Sequence, residues 1–228
     1  MGVPTRRTIR LALLAALGLS LAGCSLADAS GGYPYEVFEP PGNAEGPRPL
    51  LLFLHGAGGL IAADDPVPGF AAGRDDFPFL VVRPRTDRGW DPHLLADLLD
   101  EVEADYRVAP DRVYVTGLSM GAYGAWRLAG ADPGRFAAIA LVAGGGDPAL
   151  ACRLAHVPLW AFHNAADPVV PASESQALVD AVRGCGGEAR LTVYEEVPPG
   201  RWAHNAWQAA YTDPALYAWL LEHRRPGR

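Results

Sequence analysis

Residues 113–126 read VYVTGLSMGAYGAW, and the turn in the middle of this stretch decides how the rest of the chain is read. An apolar run of strand character, Arg112–Thr116, enters it. Gly117, Leu118, Ser119, Met120 and Gly121 turn it, and helix-compatible residues leave. Small residues on either side let a serine occupy a strained strand-to-helix turn with its hydroxyl exposed. With six serines and 26 glycines among 228 residues, a G-x-S-x-G match arises by chance about 0.08 times in such a chain. The flanking segments therefore have to carry the reading.

Upstream, Tyr33–Glu39 reads as an entry strand and residues 40–43 as a turn. Pro49–Leu54 is a continuous apolar run, the pattern of a strand buried on both faces. It ends in His55, Gly56, Ala57, Gly58 and Gly59. A Gly-rich loop leaving a buried strand can turn backbone N–H groups toward a substrate oxygen; an ordinary strand-end turn is the simpler alternative. Residues 61–77 read as loop and Phe79–Arg83 as a further strand. Trp90 either lines a site or covers the sheet. Asp91 and Pro92 give a helix N-cap and N1 proline, followed by Leu94, Leu95, Leu98, Leu99 and Val102 at helical spacing.

Downstream, strands are expected at Phe136–Ala143, Pro158–Phe162 and Arg190–Glu195. A capping-box pattern at Ser173–Gln176 predicts a helix running to Gly184, and Asp213 and Pro214 open a last helix with Leu216, Tyr217, Leu220 and Leu221 inward. Strands separated by helical segments imply an α/β fold: one mostly parallel sheet with helices on both faces. Such sheets bind ligands at the carboxyl ends of their strands. The His55–Gly59 loop, Ser119, Asp167 and His204 each follow an apolar strand, so four separate segments converge on one edge.

A serine hydroxyl needs an adjacent base to act as a nucleophile, commonly a histidine oriented by a carboxylate. Asp167 follows a strand and is the expected acid, with Asp147 one strand earlier as its rival. For the base, His163 and His223 read more simply as structural, whereas His204 lies in the Pro198–Asn205 loop after the last strand.

The stretches LLFLHGAGG, RVYVTGLSMGAYGAWRLA, VPLWAFHNAADPVVPASES and AHNAWQAAYTDPALYAWLL resemble the phospholipase/carboxylesterase-type branch of the α/β-hydrolases, close also to dienelactone hydrolases and polyhydroxyalkanoate depolymerase-like esterases. The resemblance runs from about Pro49 to the end. It implies a single-domain α/β-hydrolase over residues 33–228 without a lid domain. It implies hydrolysis of a small-molecule or polymeric carboxylic ester, without a cofactor. Ser119 would be the nucleophile, Asp167 the acid and His204 the base, with the Ala57 and Met120 amides as oxyanion hole. Asn164 and Ala203 stand where relatives often carry Gly. A small-peptide serine peptidase and a non-catalytic binding protein on the same scaffold are the alternative readings.

The amino terminus has its own pattern. Arg6, Arg7 and Arg10 precede the apolar stretch Leu11–Leu21, which is shorter than the ~20 residues a membrane span needs. Residues 1–23 are expected to be a signal peptide of Sec or twin-arginine type. Leu21, Ala22, Gly23 and Cys24 resemble a lipobox, which makes Cys24 a lipidated first residue on a tether over 24–32 and places the protein on the bacterial cell envelope. In that oxidising setting Cys152 and Cys185 form a candidate disulfide.

Composition narrows the chemistry further. All 19 basic residues are Arg, which excludes Schiff-base, P-loop and Ser-Lys lysines. From Cys24 onward 16 basic residues face 26 acidic ones, a net −10, which argues against nucleic acid as a partner. No His/Cys cluster has metal-ligand spacing, so no metal is expected.

Overall fold

The computed structural model describes residues 24–27, 32–39, 46–58, 67, 77–195 and 201–225. The expected signal peptide, residues 28–31 of the expected tether and the 61–77 loop, save Val67 and Phe77, lie outside these residues. Eight strands form one sheet: β1 Cys24–Ala27, β2 Tyr35–Phe38, β3 Arg48–Leu54, β4 Leu80–Pro84, β5 Val108–Leu118, β6 Ala138–Val142, β7 Leu159–Asn164 and β8 Ala189–Tyr194. Their spatial order is β1-β2-β4-β3-β5-β6-β7-β8. β1 and β2 run antiparallel to their neighbours, and every pair from β4 to β8 is parallel. Cys24–Ala27, expected within a tether, thus pairs along the outer edge of β2, whose backbone groups on that side would otherwise lack a strand partner.

The unbroken apolar runs follow from two-sided burial. Leu50, Leu52 and Leu54 of β3 face one core with Val113, Val115, Ile139 and Leu141. The intervening Leu51 and Phe53 face a second core with Tyr114, Ala140 and Phe162. Helices α1 (Pro92–Asp105), α2 (Met120–Ala131) and α3 (Ala172–Gly184) cover the first face through Leu95, Leu99, Trp126, Leu128, Leu178 and Val182. Helices α4 (Trp207–Thr212) and α5 (Pro214–Glu222) cover the second through Tyr211, Leu216, Trp219 and Leu220. Burying each such side chain contributes about 1.5–3 kcal/mol, so both layers are fixed by the sheet's alternation.

Helix starts follow their caps where the cap is local. Asp91 Oδ1 accepts from the N–H groups of His93 and Leu94, and Asp213 Oδ1 from that of Ala215. The capping box at Ser173 does not form. α3 begins at Ala172 after Pro171, with no side-chain cap, because the loop from Asp167 delivers an extended proline directly to the helix. Ser175, within the expected box, is buried and turned inward.

Candidate active site

β5 delivers Ser119 at φ 51°, ψ −118°, a backbone conformation unusual for a residue with a side chain. Two glycines make the turn possible by close approach. A Cβ on Gly117 would lie 2.3 Å from Gly121 O, and one on Gly121 only 1.9 Å from Leu54 O. The second contact presses the amino terminus of α2 against the end of β3, so the loop after β3 lies beside the serine; a Cβ on Gly56 would be 3.4 Å from Ser119 Cβ.

That loop is pinned from behind. Thr86 N–H donates to His55 Nε2 at 3.2 Å, which leaves the ring proton on Nδ1, donating to Gly56 O at 2.7 Å. Trp90 Nε1–H donates to His55 O at 3.2 Å, and its ring stacks edge-on with His55. Trp90 is therefore a buried support of the loop and packs against α2 at Gly124. Ala57 is exposed at the loop's turn. Met120 is the first residue of α2, where N–H groups have no intrahelical acceptor. Both amides lie on segments adjoining Ser119.

β7 delivers Asp167 and the loop after β8 delivers His204, in the short 3₁₀ turn Arg201–His204. His204 Nδ1–H donates to Asp167 Oδ2 at 2.7 Å. This tautomer leaves Nε2 free to accept from the Ser119 hydroxyl at 3.0 Å. The Asp167 side chain is fully buried, and its Oδ1 accepts from Val169 N–H at 2.8 Å and Val170 N–H at 3.0 Å. The His204 ring meets Trp207 edge-on at 5.2 Å. Tyr123, one turn beyond Ser119, has a phenol pushed up by burial, then by the charge and hydrogen bond of Glu174 and the charge of Asp167.

The rival residues lie elsewhere. Asp147 Oδ1 caps the 3₁₀ turn Pro148–Leu154 by accepting from Ala149 N–H. His223 ends α5, where burial pushes its imidazole down and its carbonyl accepts from the Tyr114 hydroxyl. Cys152 and Cys185 are bonded, joining that 3₁₀ turn to the end of α3. Cys24 opens β1. Among the described residues no group of three or more His, Cys, Asp or Glu could hold a metal ion.

Two residues at the end of β7, His163 with its structural reading and Asn164 as a departure from Gly, hold contacts that the sequence does not announce. Asn164, buried, donates through Nδ2–H to Ala203 O at 2.7 Å, so the two positions where Gly was expected are bonded to each other and steady the His204 loop. His163 is fully buried beside Asp167. The signal that could have found it is its i, i+4 spacing from the acid.

Residues 82–211 match the Esterase family model, described as "Putative esterase". "Putative esterase NocK" of Nocardia uniformis subsp. tsuyamanensis is 32% identical over 157 residues, covering 60% of this chain and 46% of that protein. Poly(3-hydroxyalkanoate) depolymerase C of Paucimonas lemoignei is 32% identical over 124 residues, covering 46% of this chain and 29% of that protein. The chain thus spans less than half the length of either relative. Among solved structures, a thermostable esterase superposes with a TM-score of 0.77 at 29% identity, over 89% of this chain and 63% of the other. A "Putative Dienelactone Hydrolase" from Klebsiella pneumoniae subsp. pneumoniae shares the fold, with a TM-score of 0.63 at 19% identity over 89% of this chain and 95% of that one. With a doubly covered parallel sheet, a serine turn after β5 and a matching model over more than half its length, the chain belongs to the Esterase family.

Proposed function

We propose that the protein hydrolyses carboxylic esters through Ser119, His204 and Asp167. One observation carries the reading: the unbroken line from Asp167 Oδ2 to His204 Nδ1 at 2.7 Å and from Nε2 to Ser119 Oγ at 3.0 Å. His204 Nε2 would take the hydroxyl proton as Ser119 Oγ attacks the ester carbonyl carbon. The carbonyl oxygen, now negative, would be met by the Ala57 and Met120 N–H groups, each such donor contributing about 3 kcal/mol to the barrier's lowering. The proton on Nε2 then leaves with the alcohol as the ester C–O bond breaks. Water attacks the resulting acyl-serine with His204 again as base, releasing the acid and restoring the serine.

The likenesses to an esterase and to a poly(3-hydroxyalkanoate) depolymerase support small esters and ester polymers, respectively, as substrates. Between the strands after Ser119 no insertion is long enough for a lid domain, which favours short or bulky esters over long free lipids. We further propose export and lipid anchoring through Cys24. The bonded Cys152 and Cys185 suit an oxidising compartment, and the mass of the amino-terminal peptide from cell envelopes tests the anchor.

The activity test is a panel of p-nitrophenyl esters from acetyl to palmitoyl, with Ser119→Ala as blank. Turnover by the wild type, highest for short acyl groups and absent from the variant, is expected. Equal turnover by both proteins, or none by the wild type on any ester, would refute the reading.

A further inference from the structure

A second histidine faces the triad's acid. The His163 ring is fully buried. Its Nε2 stands 2.9 Å from Val170 O and 3.3 Å from Asp167 Oδ2. Both neighbours only accept, so Nε2 carries a hydrogen. The one Ser175 hydroxyl hydrogen serves either His163 Nδ1 at 2.7 Å or Gly144 O at 2.8 Å. The ring therefore links the acid loop to the first turn of α3.

Resting on the reaction proposed above, we propose that His163 is a positioning residue for it, acting through Asp167. The geometry supports this in two ways. First, Val170 is gripped at both ends: its N–H donates to Asp167 Oδ1 at 3.0 Å while its carbonyl accepts from His163. The carboxylate cannot swing away from His204 without breaking that closed ring of contacts. Second, Asp167 Oδ2 is the oxygen that His204 uses at 2.7 Å. The positive end of the His163 N–H dipole at 3.3 Å draws on the same negative charge that favours a proton on His204. His163 thus fixes the direction of the base and moderates its basicity. Of the titratable groups on the surrounding elements, Tyr123 of α2 is coupled to both Glu174 of α3 and Asp167.

A role confined to folding would leave the pH profile of the reaction alone, and this separates the two possibilities. In purified His163→Leu, kcat on p-nitrophenyl acetate should fall about tenfold or more with KM nearly unchanged, as expected for a misdirected base. The acid-side limb of kcat/KM should move upward in pH, because Asp167 then offers its full charge to His204. His163→Gln, which can return an N–H to the same place, should bring both back toward the wild type. A folded leucine variant with wild-type kcat and an unmoved acid limb would overturn the proposal. Should the leucine variant not fold, Ser175→Ala frees the ring's other nitrogen; a threefold or larger loss of kcat supports the proposal, and wild-type kinetics overturn it. Absence of ester turnover in the wild type would instead sink the underlying reaction, so the two failures are distinguishable.

Discussion

Replacing Gly121 with Ala places one methyl group where the site has no room for it. The new Cβ would lie 1.9 Å from Leu54 O, 2.5 Å from Leu54 C and 2.7 Å from His55 O. All three are backbone atoms of a strand held between β4 and β5, so no side chain can rotate aside. Reaching even 3.0 Å from Leu54 O requires α2 and the end of β3 to separate by about 1.1 Å. That displacement falls between Ser119 with Met120 on one side and the His55–Gly58 loop on the other. A misplacement of about 1 Å costs on the order of 100-fold in rate, and overpacking of this kind costs about 1–3 kcal/mol of stability. The assay is kcat on p-nitrophenyl acetate together with the thermal midpoint, with Gly134→Ala as control, since nothing lies within 4 Å of a Cβ there. Gly121→Ala should lose about 100-fold in kcat while Gly134→Ala stays at the wild-type value. A folded Gly121→Ala protein with undiminished kcat would show that the spacing of these two segments does not govern the chemistry.

Asn164→Ala removes the donor to Ala203 O from a buried pair. It should cost about 1–3 kcal/mol of stability and lower kcat more than it raises KM, as steady-state kinetics beside a urea melt would show. Reducing Cys152–Cys185, or replacing both by Ser, opens a cross-link over a separation of 33 residues. Chain entropy assigns such a link roughly 3–4 kcal/mol, so calorimetry should show a lower midpoint with activity at room temperature retained. Glu36 is drawn upward by burial, but hydrogen bonds and charge from Arg85 and Arg83 outweigh that and hold its carboxyl below the ordinary value. A depressed folded-state value stabilises above the unfolded-state value of about 4.3, and this contribution is lost as pH falls through the folded one. The drop in thermal midpoint between neutral and acidic pH should therefore be smaller in Glu36→Gln, and an identical drop would remove Glu36 from the acid response.

What the sequence discloses about this protein is what depends on local chemistry. Pro49–Leu54 and the stretch into Ser119 announce buried strands because two-sided burial leaves almost no polar residue in them, Thr116 being kept by its hydrogen bond with the Tyr211 hydroxyl. Asp91 and Asp213 announce helix starts because a cap needs only its own next turn. The meeting of the candidate residues Ser119, Asp167 and His204 was legible because each follows a strand, and parallel strands bring their carboxyl ends to one edge. The helix expected from Ser173 starts instead at Ala172, since the loop that carries Asp167 governs how the chain enters it. The bond from Asn164 to Ala203 spans 39 residues, and the link from Ser175 to Gly144 spans 31. Both depend on the register of β7 against β8 and β6, which no local pattern encodes. For the same reason two departures from the resembled pattern, at Asn164 and Ala203, looked independent in the sequence and are one contact in the fold.

The central claim is that Ser119 is a nucleophile activated by His204, and covalent labelling tests it most directly. Purified protein treated with a fluorophosphonate should gain one probe mass, mapped to the peptide containing Ser119, with labelling abolished in Ser119→Ala and strongly slowed in His204→Ala. Wild-type protein that takes up no probe, or takes it up equally after Ser119→Ala, would contradict the account.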